Sequence, residues 1–372
     1  MKKFNIVLVL IAILLLVSSC KKEEVVVQTT KEYPIKLWSN NDSKATIVPN
    51  GTQAGIKFEV GDHIYLAYKG YCKNSNVQVK KIDGEKIDFS GHIKIATGVN
   101  DEIDKSPLFF YFLGGVHSSS NNDYDFFTEV GLNGTPDYTT VCISLQNRKN
   151  QDLPYHSPVL CFGKSSQAFS IENKVYNTTF KNKCSLVKYS IVPNDNGEII
   201  PMDARVYIQG LNNVVEVDFK VAHKYYNEGD SISQKYPGCD KDGFRYVKRE
   251  GKIQSLCSPT GKPMTITNII IPNRDKDDNE CYSILLPQEN VGKGEGNELF
   301  GYYFKKSANG EYITDANGKC VPTYLKVHFP YDNVVTNKYY ECTIEVDEDQ
   351  EAAHHPDIID YPYDAKPLTK LL

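Results

Sequence analysis

Cys20 is the residue with the clearest chemistry in the chain. Lys2 and Lys3 open the sequence, an apolar run covers residues 6–17, and the small residues Val-Ser-Ser stand directly before Cys20. A short positive segment, about a dozen apolar residues and small residues before a cleavage point are typical of a secretory signal, and such a run is too short to span a membrane. A thiol placed just after the cleavage point can accept a lipid before the peptidase cuts.

Val-Ser-Ser-Cys resembles the bacterial lipobox, the sequence at which lipoproteins are acylated and cut. We therefore expect a lipoprotein signal peptide over residues 1–19, a lipid such as palmitate on Cys20, and a lipidated tether over residues 20–34. Each buried acyl methylene contributes about 0.8 kcal/mol to membrane binding, so two or more chains hold a protein on a membrane durably. The alternative is a secreted protein in which Cys20 is incidental.

Charged residues follow the cysteine directly. Lys22-Glu23-Glu24 resembles the signal that sends some Gram-negative lipoproteins to the outer face of the outer membrane, although charged residues are also common in solvated tethers. The sequence therefore predicts a lipid-anchored protein of the cell outer membrane that faces the exterior.

The charge balance argues against a nucleic-acid partner. The 372 residues carry a formal net charge of −5, and loss of Lys2 and Lys3 with the signal makes the mature chain more negative still. A mildly acidic chain lacks the basic surface that attracts nucleic acid or anionic lipid. The only membrane contact that we expect is the lipid on Cys20.

The remaining cysteines do not form a metal-binding motif. The chain has ten cysteines and no C-x-x-C, so the zinc signature is missing. Lipidation of Cys20 leaves an odd number, so at least one thiol is free or pairs with another chain. Cys142, Cys184 and Cys342 lie in apolar runs, where a thiol behaves as a small hydrophobic side chain. Cys239 and Cys257 bracket a polar loop and are the pair best placed for a disulfide, if there is one.

Motifs for catalysis or metal binding are also missing. The chain contains neither G-x-S-x-G nor H-E-x-x-H. Residues 275–280 begin an EF-hand-like spacing, but Glu280 replaces the required glycine and Leu286 the bidentate Glu, so a solvated hairpin tip is the better interpretation. The adjacent His354 and His355 point apart in an extended chain. We predict no catalytic residues, no metal and no cofactor; a two-carboxylate glycosidase is a third, weaker alternative, since no spacing nominates a pair.

Period-two alternation of apolar residues dominates the rest of the chain and predicts an all-β fold. Val215–Val221 alternates over seven residues, Leu108–Leu113 is apolar throughout as in a strand covered on both faces, and Asp83-Gly84 predicts a tight hairpin. Residues 114–138 and 224–263 are polar and predict long loops, and no amphipathic run of 12 residues predicts a helix. The expected strands are 56–60, 64–68, 87–89, 108–113, 140–145, 159–162, 184–192, 215–221, 266–271, 282–286, 324–329 and 340–346.

Several segments resemble, in order along the chain, the fimbrillin-like lipoproteins, which are pilus subunits and relatives of Gram-negative anaerobes. The segments are 58–66, 89–93, 108–113, 180–189, 284–288 and 338–344. The resemblance implies two tandem transthyretin-like β-sandwich domains and a structural or adhesive role without catalysis. The turn at residues 193–197 lies near the midpoint, so we expect an N-terminal sandwich over 35–195, a C-terminal sandwich over 196–347 and a tail over 348–372.

One feature differs from the polymerising members of that family. Their maturation cuts after an arginine past the first strand, which opens a groove for a neighbour's strand, whereas the first arginine here is Arg148. We therefore expect a subunit that keeps its lipid: an anchor, an accessory component or a lone surface lipoprotein. The tail could still supply a strand to other pilus subunits by β-augmentation, although its prolines favour wrapping over the surface.

A glycan-binding surface lipoprotein is the alternative function. β-Sandwiches with exposed aromatic residues also bind sugars, and the tyrosines of residues 224–250 could form a platform for them. Tyrosines in such loops more often simply pack. The four tyrosines are Tyr225, Tyr226, Tyr236 and Tyr246.

Overall fold

The computed structural model describes residues 29–40, 49–50, 53–54, 58, 60–84, 86–97, 106–113, 127–130, 138–144, 160–232, 234–248, 251–253, 264–266, 269–270, 272–274, 279–293 and 298–349. The predicted signal peptide, Cys20, the start of the tether and nearly all of the tail lie outside the described residues. Within them, no helix has the length and apolar character needed to cross a membrane.

The described residues are nearly all β, so the predicted all-β class is confirmed. They contain one α-helix, α1 (Phe219–Glu228), followed by a 3-10 helix (Gly229–Ile232). The strands are β1 (Thr29–Asn40), β2 (Pro49–Asn50), β3 (Gln53–Ala54), β4 (His63–Tyr68), β5 (Tyr71–Asp83), β6 (Lys86–Thr97), β7 (Pro107–Leu113), β8 (Phe127–Val130), β9 (Tyr138–Ser144), β10 (Leu160–Ala168), β11 (Val175–Thr178), β12 (Lys181–Asn182), β13 (Ser185–Ile191), β14 (Tyr207–Gln209), β15 (Val214–Asp218), β16 (Phe244–Val247), β17 (Gly251–Ile253), β18 (Met264–Ile266), β19 (Asn273–Arg274), β20 (Glu280–Leu285), β21 (Phe300–Phe304), β22 (Pro322–His328) and β23 (Tyr339–Val346).

The first sheet has the strand order β11-β1-β6-β5-β4-β7-β10-β12. The strands at the two ends of this order, β11 and β12, belong to one short segment of the chain. In residues 175–182, β11 pairs in parallel with β1, and β12 pairs antiparallel with β10 only two residues later. We call residues 175–182 the closing segment. Gly163 on β10 allows the closing segment to approach closely, because a Cβ at Gly163 would lie 2.6 Å from the Thr178 hydroxyl. The closing segment therefore joins the two ends of the sheet.

The predicted burial of β7 on both faces is confirmed. Residues 108–112 are all nearly inaccessible to solvent. On the inner face, the Phe112 ring lies 5.0 Å from that of Phe58 between centroids. On the outer face, the Tyr111 ring lies 4.9 Å from that of Phe219 on α1. The helix therefore covers part of the outer face of the first sheet.

The prediction of a strand through residue 221 is wrong beyond Asp218. β15 ends there and α1 begins, because the Asp218 carboxylate accepts a hydrogen bond from the backbone N–H of Lys220 at 2.9 Å and caps the helix. Phe219 and Ala222 then pack into the core from one side of the helix. The prediction of a loop over 224–263 is also wrong in part, since these residues contain the end of α1 and the strands β16 and β17.

The second sheet has the order β14-β21-β22-β23-β13-β20-β19, with β13 parallel to β23. β13 precedes the predicted boundary at residue 195 but belongs to this sheet. β15 and β16 follow the boundary but belong to the first sheet, where β15 pairs with β9 and β16 pairs with β15. Strands of both sheets thus lie on each side of residue 195, and the domain boundaries stay a prediction. Leu186 and Ile284 of the second sheet pack into the core of the first.

Most predicted strands coincide with observed ones, and the Asp83-Gly84 hairpin forms between β5 and β6, with Gly84 at a φ of 57°. The predicted strand at 56–60 is not seen at Phe58 and Val60, the two residues described there. Phe58 is nevertheless buried in the aromatic core. Its burial, which the alternation did predict, therefore does not depend on strand pairing.

Substitution of Gly243 is expected to displace the start of α1. A Cβ at Gly243, whose φ is 90°, would overlap the carbonyl oxygen of Asp218, whereas a Cβ at Gly238, with a φ of 80°, meets only the Arg245 side chain at 3.7 Å. Both alanine variants should lose about 1–2 kcal/mol to the left-handed backbone conformation. Gly243→Ala should lose about 2 kcal/mol more through the overlap. Urea denaturation measures both free energies of unfolding, and equal losses would contradict this account of the helix start.

Candidate functional site

A groove of about 750 Å³ opens between α1 and the outer face of the first sheet. Its volume lies within the range of about 300–1,000 Å³ that is usual for ligand pockets. β1, β10 and the closing segment form one wall, and α1 with the start of the 3-10 helix forms the other. Phe109 and Phe162 form the floor, with their rings stacked at 24° and 6.1 Å between centroids.

Aromatic rings stand on both walls of the groove. Trp38, the only tryptophan of the chain, projects from β1 and is half-buried. The Lys86 ammonium lies 3.4 Å from the centroid of its ring. On the opposite wall, Tyr226 of α1 is 50% exposed, and the Lys164 ammonium from β10 lies 5.3 Å from its ring centroid. The walls therefore present apolar ring faces next to positive charges.

The closing segment supplies polar side chains to the same groove. Burial alternates along it, so that Tyr176 and Phe180 enter the core while Asn177, Thr179 and Lys181 face outward. We call the latter three residues the polar row. Asn177 is the register partner of Trp38 across the β1–β11 pair. The first residue of the polar row therefore stands beside the tryptophan ring.

A buried ion cluster fixes the loop at the end of the groove. The Lys183 ammonium, with a side chain only 9% exposed, lies 2.7 Å from an Asp240 carboxylate oxygen and 2.5 Å from one of Asp242. The other Asp240 oxygen accepts hydrogen bonds from the backbone N–H groups of Asp242 and Phe244. This cluster holds Lys241, which is exposed, at the rim of the groove.

The four predicted tyrosines do not form one platform. Tyr225 and Tyr226 line the groove. The Tyr236 hydroxyl instead accepts a hydrogen bond from the Lys224 ammonium at 2.6 Å. Tyr246 stacks on Phe244, and burial raises the pKa of its hydroxyl well above the ordinary value. Trp38 was not among the predicted site residues. The one sequence signal that could have found it is that the only tryptophan of the chain lies in a strand with alternating apolar residues.

Most of the other residues singled out from sequence lie outside the part of the chain that the structure describes. Cys20, His354, His355 and the acidic residues 275–278 lie outside the described residues. Glu280 belongs to β20, where its carboxylate accepts a hydrogen bond from the Tyr282 hydroxyl at 2.7 Å. In the described part of the chain, no group of three or more His, Cys, Asp or Glu side chains is placed to hold a metal ion.

The cysteines behave mostly as small core residues. Cys184 and Cys342 are buried, as predicted, while the side chain of Cys142 is not described. Cys239 is a free thiol, so the structure does not contain the considered disulfide; its partner Cys257 lies outside the described residues. Burial, reinforced by the nearby Asp218 carboxylate, raises the pKa of the Cys239 thiol to about 11.

No family model matches the chain, and no curated protein matches it in sequence. Among solved structures, a candidate cell adhesion protein from Bacteroides uniformis is similar, with 12% identity, a TM-score of 0.39 and coverage of 85% of this chain and 93% of that one. The tip fimbrial protein of Porphyromonas gingivalis, truncated at its C-terminus, has 10% identity, a TM-score of 0.31 and coverage of 84% and 98%.

A fimbrial assembly protein from Parabacteroides distasonis is similar to the same extent, with 12% identity, a TM-score of 0.31 and coverage of 85% of this chain and 92% of that one. These three neighbours are described as adhesion or fimbrial proteins. Their similarity is too low to assign the chain to their family.

Removal of the buried ammonium should destabilise the protein strongly. Lys183→Met leaves the Asp240 and Asp242 carboxylates without their cation, which we expect to cost about 3–5 kcal/mol. The matched control is Lys293→Met, since Lys293 pairs with Asp332 at 2.6 Å but both side chains are more than half exposed. That change should cost at most about 1 kcal/mol. Urea denaturation compares the two variants, and a similar loss in both would contradict the role of the buried cluster.

The Cys239 thiol should react slowly with alkylating agents. With its pKa raised from 9.0 to about 11, its thiolate fraction at pH 8 is about 100-fold below that of an ordinary thiol. Alkylation by iodoacetamide, followed by mass spectrometry of the peptide that contains Cys239, should be slow at pH 7 and accelerate about tenfold per pH unit up to pH 9. Glutathione in the same tube is the control, and equal rates for the two thiols would contradict the pKa shift.

Proposed function

We propose that the chain is a surface-anchored fimbrillin-like lipoprotein, a structural or accessory subunit of a pilus or adhesion assembly that catalyses no reaction. The observation that carries the proposal is the order of features along the chain. A lipobox and a charged tether precede a body built almost wholly of β-strands. Such a body suits a load-bearing or adhesive role outside the cell.

The tether would hold this body close to the membrane. β1 begins at Thr29, inside the predicted tether, so only residues 20–28 separate the proposed lipid from the first strand. Fully extended, these residues span about 30 Å. The lipid on Cys20 would therefore place the first sheet near the outer membrane surface, with the second sheet following it in the chain.

The position of β1 supports a subunit that retains its N-terminal strand. β1 pairs with β6 along its whole length and with β11 on its other edge, so it is an internal strand of the first sheet. An arginine-specific protease finds no arginine before Arg148. We infer an anchor or accessory subunit, with strand addition from the C-terminal tail as the proposed contact with other pilus subunits.

Glycan binding is the second candidate function, and one observation favours it. Trp38, Tyr225 and Tyr226 line a groove that also contains amide, hydroxyl and ammonium groups. Aromatic rings with an apolar face and nearby polar groups suit the recognition of sugars, whose rings have the same mixed character.

The lipid anchor can be tested by replacing the acylated cysteine. Cys20→Ala removes the thiol that would accept the lipid, so we expect the mature chain to lose its acyl mass and to leave the membrane fraction. Cys239→Ala is the matched control, because that thiol lies in the folded body, and this variant should stay with the membrane. Mass spectrometry and cell fractionation measure both effects. Membrane retention of Cys20→Ala, or an unmodified residue 20 in the parent chain, would defeat the proposal.

A further inference from the structure

The groove is positively charged, although the chain as a whole is acidic. Lys164, Lys181 and Lys241 are exposed on its margin, and we call them the rim lysines. Two carboxylates line the groove. Asp242 shares the Lys183 ammonium with Asp240, so that cluster keeps one negative charge, and Asp230 carries another. The three rim lysines outnumber these two charges. Positive charge is thus concentrated in one concave site of a protein with a formal net charge of −5. Such a site attracts an anion.

The polar row adds spaced hydrogen-bonding groups. Because residues two apart in an extended chain face the same side, Asn177, Thr179 and Lys181 stand about 6.6 Å apart along the groove. An amide and a hydroxyl both donate and accept hydrogen bonds, as do the hydroxyl groups of a sugar. The row therefore matches an elongated ligand that carries repeated polar groups.

The aromatic rings complete the site from both walls. Trp38 stands beside Asn177, and Tyr226 is half exposed opposite, with the Lys164 ammonium over its ring. A ligand with apolar faces can lie against these rings while its polar edge meets the polar row. A sugar ring has such faces.

We propose that the groove binds an acidic oligosaccharide, that is, a sugar chain with carboxylate or sulfate groups. The rings of Trp38 and Tyr226 lie against the sugar faces, the polar row bonds to the hydroxyl groups, and the rim lysines pair with the acidic groups. The inference rests on the proposed function for the source of the ligand, which is a glycan outside the cell.

An acidic peptide fits the same charge less well. A peptide that binds by β-augmentation needs an open strand edge, but beside the groove the closing segment already pairs with β1 through β11 and with β10 through β12. Most residues that line the groove carry polar or aromatic side chains. Side-chain amide and hydroxyl groups beside aromatic rings favour sugar over peptide.

Trp38 gives the test a local reporter, because it is the only tryptophan in the chain. The mature chain, purified in detergent, is titrated with four hexamers: a sulfated glycosaminoglycan, oligogalacturonate, neutral cellohexaose and hexaglutamate. We expect at least one acidic sugar to change the tryptophan emission saturably. Its affinity should fall at least about tenfold when the salt rises from 50 to 300 mM, since salt screens exposed charge pairs.

Two double lysine variants distinguish binding in the groove from nonspecific attraction to lysines elsewhere on the protein. Lys164→Ala with Lys181→Ala should weaken binding of the acidic sugar at least about tenfold. Lys174→Ala with Lys305→Ala is the matched control, since both lysines are exposed and neither lines the groove. That control should bind as the parent does. Unchanged melting temperatures for both double variants show that the fold is retained, as expected for exposed side chains.

Three results would overturn the proposal: equal, salt-independent binding of cellohexaose; binding of hexaglutamate as tight as that of either acidic sugar; and no saturable change with either acidic sugar. The same preparation is analysed for acylation of Cys20. A chain that binds the acidic sugar without an acyl group supports the groove and refutes the anchor. An acylated chain that binds neither acidic sugar refutes the groove and leaves the anchor standing.

Discussion

The closure of the first sheet by residues 175–182 is the constraint on which the rest of the molecule depends. A sheet with two open ends exposes unpaired backbone groups, and closure removes those edges. Here one segment satisfies both ends, because β11 pairs with β1 and β12 with β10. The same alternation that sends Tyr176 and Phe180 into the core turns Asn177, Thr179 and Lys181 outward. The closing segment therefore contributes side chains to the core from one face and to the groove from the other.

Helix α1 converts the outer face of that sheet into a concave surface. Phe219, the first helical residue, packs on Tyr111, so the helix lies over strands that would otherwise meet solvent. Its start is fixed twice: by the capping carboxylate of Asp218, and by the hydrogen bond from the Asp218 N–H to the Gly243 carbonyl at 2.9 Å. The loop that ends with Gly243 in turn depends on the ion cluster of Lys183, Asp240 and Asp242. Helix, loop and closing segment thus position one another.

Sequence predicted those features that local pattern determines. The all-β class, the buried β7 and the Asp83-Gly84 hairpin follow from alternation and turn chemistry, which act over a few residues. The helix was missed because Val215–Val221 alternates perfectly while a single side chain, that of Asp218, ends the strand. Local pattern carries no signal for the sheet membership of β13, because its pairing with β23 joins residues far apart in sequence. Trp38 enters the groove only through such long-range pairing with β11.

The proposed lipid anchor and the groove both require that the N-terminal strand, β1, stays in the mature protein. The proposed anchor at Cys20 precedes β1, Trp38 lies near the end of β1, and β1 lies between β6 and β11. Excision of β1 would remove Trp38, the partner strand of the closing segment and the connection to the proposed anchor together. Asn177 would then lose its register partner on β1. An arginine-specific protease has no site in the first 147 residues, so we expect the chain to keep β1 and with it the aromatic groove.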